Sequence, residues 1–169
     1  MRGKPTHERR RARSPCAYHA RVAIAIGEVA PHVEGASQDG PHVLVFFKVT
    51  CSTTQLATPA IERLTRAYPG KVAGVGQDPP PALEGFARDF TLTLPIVPDL
   101  EPYTVSDGYG ITSAPTAIAV DGDARVLDVA ESWDRDAWNR LSTRIAAELG
   151  VAAATVSDPD DGLPDFKPG

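Results

Sequence analysis

Residues 43–51 read Val43-Leu44-Val45-Phe46-Phe47-Lys48-Val49-Thr50-Cys51, a continuous β-branched and aromatic run of the kind that a strand covered on both faces requires. A cysteine stands at its end. From Gln55 to Tyr68 the apolar positions Leu56, Ile61, Leu64 and Tyr68 then fall at helical spacing, so the local order is strand, cysteine, helix. A thiol at such a junction lies beside unpaired backbone N–H groups and the positive end of a helix dipole, and both favour thiolate over thiol. Cys51 is therefore expected to be unusually nucleophilic. The competing reading is a buried structural cysteine, the commoner fate of cysteines generally.

Outward from this junction, Val72–Val75 reads as a second strand and Leu83, Phe86 and Phe90 mark one face of a short helix. Leu94–Val97 suggests a brief extended segment, and residues 98–112 carry no clear period. Thr116–Asp121 and Ala124–Ala130 alternate as two strands around the turn Asp121-Gly122-Asp123. A last helix spans Asp134–Leu149, with Trp138, Leu141, Ile145 and Leu149 on one stripe and Gly150 as its stop. The order βαβα, hairpin, α implies an α/β domain whose mixed central sheet is flanked by helices on both faces.

At 169 residues the chain has room for one ordinary core. Residues 1–21 hold seven basic groups against one acidic and no apolar period, which predicts a disordered basic arm. Residues 22–150 form the expected domain. Residues 151–169, rich in Asp, Pro and Gly, predict a flexible acidic tail. The formal net charge of −5 combines a basic arm with an acidic domain and tail, so nucleic acid is not an expected partner. No apolar stretch approaches the ~20 residues of a bilayer span, so no membrane partner is expected either. Two cysteines, Cys16 and Cys51, are too few for a disulfide framework and point to a reducing, cytoplasmic location. The basic leader lacks an apolar segment of ~7–15 residues, so no cleaved signal is expected.

Two further features bear on Cys51. Pro59 falls inside the helical pattern, where it should remove one backbone bond and kink the helix. Ser113-Ala114-Pro115-Thr116 places Pro115 immediately ahead of a strand. Together with the terminal hairpin and helix, Phe46-Phe47-Lys48-Val49-Thr50-Cys51-Ser52-Thr53-Thr54 and Tyr109-Gly110-Ile111-Thr112-Ser113-Ala114-Pro115-Thr116 resemble the thioredoxin superfamily. The resemblance is to its redoxin branch, of TlpA-like thiol-disulfide oxidoreductases and relatives of alkyl hydroperoxide reductase, and covers roughly residues 27–149.

The resemblance implies a thioredoxin-like fold and a Cys-X-X-Cys site with the first cysteine as nucleophile. Facing it stands a cis-proline whose preceding residue offers main-chain groups to an extended substrate. Cys51 takes the nucleophile position, and Ala114 with Pro115 takes the substrate-facing loop. Thr54 occupies the position of the resolving cysteine, where a hydroxyl can hydrogen-bond a thiolate but cannot form a disulfide. The expected function is thus thiol-disulfide exchange by a monothiol route, in cell redox homeostasis, on a protein disulfide or a small-molecule thiol or disulfide. An external thiol, another protein or Cys16 resolves the intermediate, although a lone cysteine in a mobile arm is more often incidental.

Two alternatives stay open. A one-cysteine peroxidase with an antioxidant role would pass through sulfenic acid at Cys51. Against it, the peroxiredoxin pattern asks for Pro and Thr where this chain has Leu44 and Lys48. Lys48 could still favour the thiolate electrostatically, but a solvent-facing lysine at a strand end is the simpler reading. The other is a degraded thioredoxin fold that binds a protein through the Pro115 loop without turnover.

Other signals are structural. The histidines 7, 19, 32 and 42 form no ligand-spaced pair, so no metal is expected, and no cofactor. Gly74 and Gly76 lack the third glycine of a dinucleotide loop and read as an ordinary loop. Asp121 and Asp123 read as turn residues, Asp78 as a turn initiator before Pro79 with proton transfer as its other possible role, and Trp138 as packing.

Overall fold

A computed structural model describes residues 23–169. The apolar run becomes β1 (His42–Phe47), every residue of it buried, followed by α1 (Ser52–Ala67) and β2 (Val72–Gly76). Then come α2 (Pro80–Asp89), β3 (Ile96–Pro98), α3 (Thr104–Gly108), β4 (Thr116–Val120) and β5 (Val126–Glu131). The chain closes with β6 (Trp133–Asp134), α4 (Arg135–Leu149) and β7 (Phe166–Lys167). Five strands form one mixed sheet in the order β3-β2-β1-β4-β5, with β1 parallel to β2 and antiparallel to β4.

Because successive side chains of a strand point to opposite faces, β1 feeds two cores at once. Val43 and Val45 pack with Ile61 and Leu64 of α1 and Trp138, Leu141 and Ile145 of α4. Leu44 and Phe46 pack on the other face with Val33, Tyr109 and the α3 residue Val105. Helices thus cover both faces, the arrangement anticipated for an α/β sheet with this element order. Among the described residues no helix is long and apolar enough to cross a membrane.

Local chemistry explains several boundaries. α1 runs on through Pro59, and the Gln55 carbonyl, which lacks the N–H that residue 59 would have supplied, accepts from Thr58 Oγ1 at 2.8 Å. Asp134 caps α4 by accepting from the Ala137 N–H at 2.9 Å, and Gly150 ends it at φ 67. At the hairpin, Asp121 Oδ1 accepts from the N–H groups of both Asp123 and Arg125 at 2.8 Å, which delays β5 to Val126.

Two expectations are corrected. Gly74 and Gly76 lie in β2, not in a loop. A Cβ on Gly74 would fall 2.9 Å from Phe47 Cε1, and one on Gly76 would fall 2.2 Å from Leu83 Cδ2. The glycines make room for β1 and α2 side chains against the strand. Residues 151–169 are likewise no free tail: most stay exposed, but the segment is tethered to the domain. Val156 is fully buried in the core, and Asn139 Nδ2 and Arg63 Nη1 donate to the carbonyls of Ser157 and Val156, both at 2.8 Å. Arg63 also pairs with Asp161 at 2.5 Å, and the buried Arg135 binds Asp165 and the Leu163 carbonyl. Acidic residues that composition assigns to solvent are the anchors of this segment. The expected basic arm, residues 1–21 with Cys16, lies outside the described residues.

Candidate active site

Cys51 occupies the N-cap of α1 with extended backbone (φ −76, ψ 118), so its carbonyl already accepts from the Gln55 N–H at 3.0 Å while its sulfur stands at the open end of the helix. No acidic side chain sits in the first turn of α1 to oppose a negative sulfur. The connection from β1 is tethered from both sides: the Val49 N–H donates to Asp78 Oδ2 at 2.8 Å and the Val49 carbonyl accepts from Gln55 Nε2 at 2.9 Å. Asp78, buried at the end of β2, therefore braces the cysteine loop. That contact joins the ends of the neighbouring parallel strands β1 and β2, which a turn role does not convey.

The sulfur is half-buried and faces the loop before β4, where the Ala114–Pro115 peptide bond is cis. Cys51 Sγ donates to the Ala114 carbonyl at 3.1 Å. Pro115 is buried behind Ala114, and Thr116 Oγ1 donates to the Ser113 carbonyl at 2.8 Å, which fixes the turn. Cys51, Ala114 and Pro115, separated by more than sixty residues in sequence, are thus brought together. A second cis bond, Glu101–Pro102, lies away from these residues in sequence and had no expectation attached to it.

Thr54 is fully buried on the first turn of α1, and among the described residues its Oγ1 has no hydrogen-bond partner beside the protonated thiol. A buried orphan hydroxyl costs about 1–3 kcal/mol, a cost that an ionised sulfur can relieve by accepting from it. Burial pushes the Cys51 pKa up, but the Thr54 N–H and hydroxyl, aided by Thr53, outweigh it and hold the thiol below its ordinary value. Lys48 is exposed, as a strand-end lysine should be. The cleft over the sulfur, about 190 Å³, is lined by Lys48, Cys51, Gln77, Thr112, Ala114 and Gly169. A roomier cavity of about 730 Å³ lies between Ile24, Glu28, Pro31 and Gly110, but its described lining offers no thiol.

Sequence reasoning missed Thr53, Ser132, Pro168 and Gly169. Thr53 Oγ1 donates to the Pro168 carbonyl at 2.6 Å, and the Gly169 N–H donates to Ser132 Oγ at 3.0 Å. These contacts join residues 37 and 115 positions apart, and no local pattern signals them.

No protein-family model matches the sequence, and no curated protein matches it. Solved structures do. MTB dsbF, in mixed oxidised and reduced forms, is 26% identical with a TM-score of 0.55, over 64% of this chain and 81% of that one. The thioredoxin domain of a thiol-disulfide oxidoreductase from Bacteroides vulgatus is 19% identical with a TM-score of 0.62, over 73% and 99%. A secreted Mycobacterium tuberculosis disulfide oxidoreductase, described as homologous to E. coli DsbE, is 18% identical with a TM-score of 0.55, over 78% and 99%. At these identities the likeness carries the fold. The chain has the thioredoxin-like fold that these neighbours share.

Proposed function

We propose that this protein is a thiol-disulfide oxidoreductase that works through one thiol, Cys51. The observation that carries the reading is a half-buried sulfur at the N-terminus of α1, 3.1 Å from the carbonyl that precedes a cis-proline, beside a buried hydroxyl free to stabilise its anion. The disulfide chemistry of the structural neighbours supports the same reaction class.

In the resting thiol the S–H proton is shared with the Ala114 carbonyl. Ionisation transfers that proton to water, turns the sulfur toward the donors of Thr54, and leaves the Ala114 carbonyl free to accept a backbone N–H from an extended partner. The Cys51 thiolate attacks one sulfur of the partner disulfide, forming a mixed disulfide and expelling the other partner sulfur as thiolate. Thr54 has no sulfur with which to resolve this bond. A small external thiolate therefore attacks Cys51 Sγ and releases the partner's second thiolate, and a second equivalent frees Cys51 as the small-thiol disulfide leaves. Two small thiols are oxidised for each partner disulfide reduced. A reducing compartment, in keeping with the sparse cysteines, supplies them.

The runner-up is a binding module that captures partners without turnover, favoured by the same Thr54. Incubation with a peptide disulfide followed by a small thiol separates the two. Stoichiometric mixed disulfide on Cys51, its release by the small thiol, repeated turnover, and loss of all three in Cys51→Ser support the oxidoreductase. Capture without release in the parent, with turnover only in Thr54→Cys, overturns it in favour of binding.

A further inference from the structure

The last residues of the described chain lie across the site itself. β7 pairs antiparallel with β6 through Trp133 and Asp134, which directs Pro168 and Gly169 toward Cys51. There the Pro168 carbonyl takes the hydroxyl proton of Thr53 at 2.6 Å, Lys167 Nζ reaches Ser52 Oγ at 3.1 Å, and the Gly169 N–H binds Ser132 Oγ at 3.0 Å. Gly169 is packed so closely on the proline loop that a Cβ on it would lie 2.1 Å from the Ala114 carbonyl oxygen. Upstream the segment is moored by Arg135 to Asp165 and by Trp133 Nε1 to the Pro164 carbonyl at 2.7 Å.

We propose that residues 166–169 are a strap seated on the strip that a partner's backbone uses beside Cys51, so that an extended polypeptide has to displace it to reach the sulfur. This rests on the thiol-exchange reading of the site and adds its regulation. Main-chain groups of the strap make the contacts at Thr53 and Ser132, so the strip recognises backbone rather than particular side chains, and the residue over Ala114 has to be glycine.

The test compares a small reagent, iodoacetamide, with a bulky fluorescein-bearing iodoacetamide in a Cys16→Ser background. Rates are measured at about pH 10, where an ordinary thiol is already mostly ionised. Two variants keep the Asp165 and Pro164 moorings: a truncation after Lys167, and the full-length Gly169→Val, whose side chain cannot sit over Ala114. Both should speed the bulky reagent by about tenfold or more and iodoacetamide by far less. Unchanged rates for the bulky reagent in two folded variants overturn the strap. The pH profile of the parent tests the thiol-exchange reading separately, since an ordinary thiol there would defeat that reading while the steric comparison still decides the strap.

Discussion

The loop that carries Cys51 and the segment that crosses it meet within one hydrogen bond of each other, yet they are held by different forces. Val43 to Phe47 of β1 are almost wholly buried, and α1 packs Ile61 and Leu64 against the same sheet. Residues 157–165 are fixed chiefly by polar bonds to Arg63, Arg135 and Asn139. Apolar burial neither titrates nor is weakened by ionic screening, whereas bonds to ionised groups are subject to both. The sulfur therefore keeps its place under conditions in which its cover can lift.

Substitutions should break the two regions differently. Phe46→Ala, in the sheet core, should lower unfolding free energy by ~3–5 kcal/mol in chemical denaturation and weaken both regions together. Arg135→Ala strips partners from the exposed Asp165, the Leu163 carbonyl and Ser157 and should cost about 1–3 kcal/mol, mainly through the hydrogen bonds lost. Its distinguishing mark is proteolysis within residues 157–169 ahead of the sheet, and simultaneous cleavage of both would erase the contrast.

Much of the first region was legible because its signals are local. A buried strand, a cysteine and a helical stripe each declare themselves within a dozen residues, and so did the glycine stop of α4. The second region was misread for the opposite reason. Its Asp, Pro and Gly look like solvated tail, and the arginines that order it, Arg63 and Arg135, lie 98 and 30 residues from their carboxylate partners. The β2 glycines were misread likewise, since what excludes a side chain there belongs to Phe47 and Leu83. α3 was hidden by its brevity: five residues whose N–H groups at Val105 and Ser106 are taken by Asp99, at 3.1 and 2.7 Å.

A smaller effect sharpens the contrast at the sulfur. Thr54→Val removes one donor to the anion, worth about 1 kcal/mol, and should slow Cys51 alkylation near neutrality about fivefold, with recovery in Thr54→Ser. Equal rates in all three would remove Thr54 from the account. The mildest perturbation is acid. Burial raises the Asp161 carboxyl, but the Leu163 N–H, Arg63 and Ser157 overcome this and hold it at about 2, below the ordinary 3.8. A depressed carboxyl stabilises the fold fully above its unfolded value and loses that contribution as pH falls through the folded one. Between about pH 4 and pH 2 the crossing segment should loosen first, read as pepsin cleavage after residue 150 that precedes loss of sheet circular dichroism. Cleavage that tracks global unfolding would show that Asp161 does not hold it.

The account stands on the ionisation of Cys51, and the pH dependence of its alkylation by iodoacetamide, in Cys16→Ser, reads that directly. The rate should reach half its maximum clearly below the ~8.5 of a free thiol. A midpoint at or above that value would mean that burial outweighs the donors of the first turn, and the site would hold an ordinary cysteine.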